Sequence, residues 1–99
     1  MSIVAAQQGH TFVIQIAGEL TYRLYGDFMR AVQTMHKDAS SLVVDLVQTS
    51  HIDSAGMGML LMMREMAGGD TARISLINAS MKVRNALLMA QFQDLFRIT

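Results

Sequence analysis

Hydrophobic residues recur along this chain with two different periods, and the places where the period changes mark its elements. From Thr11 to Ala17, Phe12, Ile14 and Ile16 alternate with Val13, Gln15 and Ala17, the two-residue repeat of a strand with one strongly apolar face. Ile3 to Gln7 is also strand-like, and Gln8-Gly9-His10 between the two runs reads as a tight turn. The chain should therefore open on an antiparallel hairpin packed on one side. Gly18-Glu19-Leu20-Thr21 ends the second run, and the period then lengthens. Leu24, Phe28, Ala31, Val32 and Met35 fall at helical spacing, which predicts an amphipathic helix over 23–36. Thr21 or Asp27 would set its start, and Gly26 weakens its first turn.

Lys37-Asp38-Ala39-Ser40 is a polar connection, after which Ser41 to Val47 reads as a buried strand of β-branched and leucine residues. A loop over 48–53 leads into a helix over 54–67, where Met57 to Ala67 holds ten good helix formers in eleven positions. Gly68-Gly69-Asp70 stops that helix with a glycine in the left-handed position. Arg73 to Ile77 is the next strand. Ser80 caps a third helix, Met81 to Ala90, whose inward face would hold Val83, Leu87 and Ala90. Leu95, Phe96 and Ile98 form a last apolar segment, helical or extended. The order predicts an α/β sandwich: a mixed sheet of about four strands, parallel beside the N-terminal hairpin, with helices packed on it.

Composition narrows the chemistry. Ninety-nine residues suit a single domain. Without cysteine there is no disulfide framework, thiol nucleophile or thiolate metal site, which fits a cytoplasmic location. A formal charge of zero leaves no electrostatic footprint for nucleic acid or an anionic membrane surface. The N-terminal residues lack the basic region of a signal peptide, and no apolar run approaches the ~20 residues that span a bilayer.

The stretch with most chemical content is Ser50-His51-Ile52-Asp53-Ser54-Ala55-Gly56-Met57-Gly58, at a strand-to-helix turn. There the first helix amides lack intrahelical partners, and Asp and Ser are the residues that accept hydrogen bonds from them. A phosphate on Ser54 would also face those amides and the positive end of the helix dipole. Enzyme readings of the same stretch fail. His51, Asp53 and Ser54 stand too close on one turn to converge as a triad, and a nucleophile elbow would need glycine at Ile52. A dinucleotide loop continuing Gly56-Met57-Gly58 would need glycine at Leu61, and no Walker lysine follows. His10, His36 and His51 lack metal-ligand spacing, and no cofactor or metal is expected. Arg23, Arg30, Arg64, Arg73, Arg84 and Arg97 are dispersed and read as solvated.

Five of the ten methionines fall between Met57 and Met66. Met57, Leu60, Leu61 and the stem of Arg64 would form the core stripe of the helix, and Met59, Met62, Met63 and Met66 cannot all face inward as well. Two arrangements stay open: a helix buried nearly all round, or an exposed patch that binds a partner beside Ser54. An exposed strand edge and the methionines both offer surface for a homodimer.

Gly18-Glu19-Leu20, Val43-Val44-Asp45-Leu46 and Ile52-Asp53-Ser54-Ala55-Gly56-Met57-Gly58, with a weaker Phe92-Gln93-Asp94-Leu95-Phe96, resemble the STAS domain family, the bacterial anti-sigma factor antagonists. The resemblance covers 18–96. It implies a STAS-type α/β sandwich over 1–99 and a regulator that catalyses nothing. It also implies phosphorylation of Ser54 by an anti-sigma factor that is a serine kinase, removal of that phosphate by a PP2C-type phosphatase, and binding of the partner by the unphosphorylated form. The docking surface would comprise Asp53, Ser54, Ala55, Gly56, Met57, Gly58, Met59, Met62 and Thr21, with Asp53 capping the helix or orienting the hydroxyl and Gly56 and Gly58 admitting the partner's backbone. Thr21 stands where the family commonly has aspartate, and Gln91 where glycine is frequent. Two alternatives remain: a STAS subunit docking on the ATPase of an ABC transporter, and a small-ligand or lipid binder using the methionines.

Overall fold

The second strand organises the fold, because it runs beside two different partners. In the computed structural model, which describes residues 2–37 and 39–99, β1 (Ser2–Gln8) and β2 (Thr11–Leu20) form the expected antiparallel hairpin. Thr11 to Gln15 of β2 pair in parallel with β3 (Ser41–Asp45), while Gly18 to Leu20 pair in parallel with β4 (Thr49–Ile52). The handover takes place at Gly18. Its φ is 98°, its N–H donates to Gln48 O at 2.9 Å, and the ladder shifts register between Gly18 and Glu19. A side chain there would meet the steric conflict that keeps L-residues out of positive φ.

β5 (Ile74–Ile77) pairs in parallel with β3, and β6 (Arg97–Ile98) with β5. The sheet order is β1-β2-β3-β5-β6, with β4 joined to β2 alone, so there are six strands among the described residues rather than about four. One addition is β4, in the stretch expected to be loop. Thr49 and Ile52 are buried at its two ends, and the Thr49 hydroxyl donates to Ile16 O at 2.7 Å. Four residues with polar Ser50 and His51 between them are too short to show a period. The other is β6, which takes up the C-terminal apolar segment after Phe92 and Phe96 stack on each other at 5.3 Å.

The first helix differs most from expectation. α1 (Tyr25–Val32) is shorter than 23–36 and follows a 3₁₀ turn over Tyr22–Leu24. Neither Thr21 nor Asp27 caps it with a side chain; Asp27 pairs with Arg30 one turn on. Beyond its far end the chain tightens into a turn, in which the Thr34 N–H and hydroxyl both donate back to Ala31 O, at 3.1 and 2.7 Å. The polar connection at 37–40 includes Asp38, which lies outside the described residues. α2 (Ser54–Met66) and α3 (Met81–Met89) each end one residue before the expected place. Gly68 takes the left-handed position after α2, and Gln91 takes it after α3 at φ 63°.

One face of the sheet carries the core. Phe12, Ile14 and Ile16 of β2, Leu42 and Val44 of β3 and Leu76 of β5 are buried there under Phe28 and Val32, Leu60 and Met63, and Val83 and Leu87 of the helices. Ala90, expected to face inward, is exposed, because the chain turns at the end of α3 and Ala86 packs on the core instead. Of the two expectations for Arg64, a solvated cation and a stem in the core stripe, burial favours the second: its side chain is only 13% exposed, and its guanidinium donates to Asp70 Oδ1 at 2.9 Å. Among the described residues, no helix is long and apolar enough to cross a membrane.

Candidate functional site

Leu20 and Ile52 stand opposite each other at the ends of β2 and β4, so the turns that follow them lie side by side. The first turn brings Thr21 and Tyr22; the second brings Asp53 and Ser54. Asp53 N–H reaches back to Leu20 O at 3.5 Å, a long contact that still fixes the two turns against each other. Thr21, placed on the expected docking surface by resemblance alone, is thus a spatial neighbour of Asp53.

Asp53 is the N-cap of α2. Its backbone is extended, its Oδ1 accepts Gly56 N–H at 2.8 Å, and its carbonyl accepts Met57 N–H at 2.9 Å. Of the two roles open to it, capping is the one observed. Ser54 follows as the first helical residue. It is exposed, and its hydroxyl makes no hydrogen bond to any described residue. Gly56 is buried, and a Cβ on it would lie 2.1 Å from Leu20 O and 3.0 Å from Ile52 Cγ1. Its missing side chain therefore admits the protein's own β2, so the expectation that Gly56 admits a partner's backbone is corrected. Gly58 has open space around its Cβ position and stays available for that use.

A model of the family described as Mlab, STAS domain, matches residues 3–97. The chain belongs to the STAS-domain family. A STAS-domain containing protein of Pseudomonas aeruginosa strain UCBPP-PA14 is 38% identical over 101 residues, covering 100% of both chains. Solved structures share the fold. An anti-sigma factor antagonist from Mycobacterium paratuberculosis superposes with a TM-score of 0.83 at 17% identity, over 98% of this chain and 83% of that one. SpoIIAA in its unphosphorylated form superposes with 0.74 at 19% identity, over 99% and 87%. The Bacillus cell fate determinant SpoIIAA in its phosphorylated form superposes with 0.68 at 17% identity, over 99% and 91%.

In this STAS domain the helix after the motif resolves the two arrangements left open for the methionines: part of the run is core and part is surface. Met59, expected on the docking surface, is 2% exposed and belongs to the core, as do Leu60 and Met63. Leu61, expected in the core, is exposed together with Met62 and Met66, while Met57 is half-buried against the core. The inward stripe starts from Gly56 and continues at helical spacing through Met59, Leu60 and Met63. Taking Met57 as its origin turned the helix by one residue. Ala55 is half-buried beside Ser54.

Tyr22 was missed from sequence. It is 72% exposed and stacks on Tyr25 at a centroid distance of 5.8 Å and an interplanar angle of 21°. An aromatic residue two positions past Leu20, where β2 ends, was the available signal. Asp45, in the second motif, is a structural residue: its Oδ1 accepts from Val47 N–H at 3.1 Å and from Asn78 Nδ2 at 3.2 Å, tying the ends of β3 and β5. Among the described residues no three His, Cys, Asp or Glu side chains cluster as metal ligands.

Proposed function

We propose that this STAS protein is a phosphorylation-switched regulator of the anti-sigma factor antagonist type, acting through the surface around Ser54 and catalysing nothing itself. The observation that carries this reading is the division of labour at the start of α2: Asp53 holds the helix cap, and the Ser54 hydroxyl stands exposed and uncommitted. The likeness to SpoIIAA, known in unphosphorylated and phosphorylated forms, supports it. In the unphosphorylated form, Ser54, Gly58, Met57, Met62, Thr21 and Tyr22 receive an anti-sigma factor that is also the serine kinase. A PP2C-type phosphatase restores the hydroxyl, and the exchange takes place in the cytoplasm.

The switch works by local charge. A phosphate on Ser54 adds about −1.5 to −2 at pH 7. The free amides of the first turn and the helix dipole tolerate that charge within the monomer. A docked partner would have to strip its water beside the Asp53 carboxylate, and burying an unpaired charge costs far more than the contact returns. Docking is lost and the fold is kept.

The deciding experiment is capture from the native cell with Ser54→Ala and Ser54→Asp as baits. A protein-kinase-like partner retained by the alanine form and lost from the aspartate form supports the switch. Equal capture of a transporter ATPase by both forms would replace it with the transporter-subunit reading, in which Ser54 is only the residue after a cap.

A further inference from the structure

The two edges of the sheet are finished differently. β6 has two residues, one of them Arg97, which leaves little for another strand to pair with. β1 has seven residues, Ser-Ile-Val-Ala-Ala-Gln-Gln, with no proline and no charge, and its register with β2 is unbroken. None of the usual devices blunts this edge.

The ladder shows which main-chain groups it offers. Gln8 stands opposite Thr11 across a two-residue turn with Gly9 at φ 62°, so these two form a hydrogen-bonded pair. Pair types alternate along an antiparallel ladder, so Ala6, Val4 and Ser2 also turn their N–H and C=O toward β2. The N–H and C=O groups of Ile3, Ala5 and Gln7 therefore point out of the sheet. Ile3 and Ala5 pack their side chains against the core, which holds the strand in place. Beside them runs an open groove of about 480 Å³, with Asp27, Arg30, Ala31 and Thr34 of the α1 segment as its other wall. Its two charged groups, Asp27 and Arg30, neutralise each other.

We propose that β1 is a self-association edge, where two copies of this chain pair β1 with β1 antiparallel about a two-fold axis through Ala5. A two-fold interface must be self-complementary, and this strand is. Ile3 falls opposite Gln7 and Val4 opposite Ala6 of the second copy, so the outward groups of Ile3, Ala5 and Gln7 meet their equivalents in narrow pairs. No like charges oppose each other, the chain's formal net charge of zero does not hold copies apart, and Val4, 57% exposed in the monomer, gains cover. A charged strand from another protein would find no countercharge along β1. The edge lies on the opposite side of β2 from β4, so pairing leaves the Ser54 surface of each copy free. The proposal stands whether or not Ser54 is a switch.

Sedimentation equilibrium of the full chain tests it, from about 10 μM to about 1 mM, the range in which small interfaces assemble. The mass should rise from 10.9 kDa toward twice that value. Val4→Lys with Ala6→Lys sets lysine against lysine across the axis and should hold the protein at the monomer mass. Val4→Lys with Ala6→Glu sets opposite charges together and should restore the dimer. Both positions are exposed, and circular dichroism checks that each variant folds. Amide exchange should slow with concentration at Ile3, Ala5 and Gln7 but not at Val4 and Ala6. A wild-type chain that stays monomeric throughout overturns the proposal, as does a dimer indifferent to the lysine pair or a β1 that pairs only with a strand of another protein.

Discussion

Two helices of this STAS domain begin beside serines, and the two serines are used in opposite ways. At α3, Ser80 is the cap: its Oγ accepts Val83 N–H at 3.2 Å. At α2, Asp53 is the cap and Ser54, the residue after it, has its hydroxyl uncommitted. A cap that is also the modified group would lose its hydrogen bond each time the group changed state. Under the proposed switch, separating the two residues would let the surface change charge while the helix start stays closed. The second difference lies beneath: α2 rests on β2 through Gly56, which allows the helix to approach so closely that the two strand-end turns meet.

The largest expected effect comes from filling that contact. In Gly56→Ala a methyl group would stand 2.1 Å from Leu20 O, a backbone atom that cannot move without displacing β2. The loss should be about 3 kcal/mol or more, the upper range for overpacking. At roughly 4–8 °C per kcal/mol for a domain of this size, a thermal melt will show it plainly. Gly58→Ala, two residues on, meets open space and should raise stability by up to ~1 kcal/mol through helix propensity. Opposite signs for these two alanines would establish that only one glycine is a packing residue; equal losses would break that assignment.

Next come the caps. Asp53→Ala removes a charged acceptor from a part-buried amide and should cost about 1–2 kcal/mol in urea unfolding. Ser80→Ala breaks a longer, neutral bond and should cost about 0.5–1 kcal/mol. If Ser80→Ala proves the more damaging of the two, the contrast between the helix starts is wrong.

What was legible in the sequence follows from where each signal is stored. The alternation of Phe12, Ile14 and Ile16, and the helix formers after Gly58, carry their information in hydropathy, and a strand and a helix stand there, though β2 runs on through Gly18-Glu19-Leu20, which was expected to end it, and α2 stops at Met66. Asp53 and Ser54 were legible because an unsatisfied helix start calls for those residue types. β4 was not, since Thr49 and Ile52 are placed by β2 rather than by their own period, and Thr49 is buried through a hydroxyl bond that polarity conceals. The face of α2 was misread for a related reason: the residue that fixes it is Gly56, and glycine has no hydropathy to detect. Tyr22 went unnoticed because exposure after a turn depends on the 3₁₀ geometry that replaced the expected first turn of α1.

The smallest expected effect is the most informative. Ser54→Ala removes a hydroxyl that no described group uses, from an exposed position in a helix that favours alanine. Its stability should stay within about 0.5 kcal/mol of the parent, the usual range for surface substitutions. Phosphorylated protein should melt at nearly the same temperature, because the added charge meets free amides and not a cap it must displace. Were Ser54→Ala to cost as much as Ser80→Ala, the hydroxyl would be holding the helix after all. A switch there would then have to act by loosening α2, and the charge-blocked docking proposed for Ser54 would fall with it.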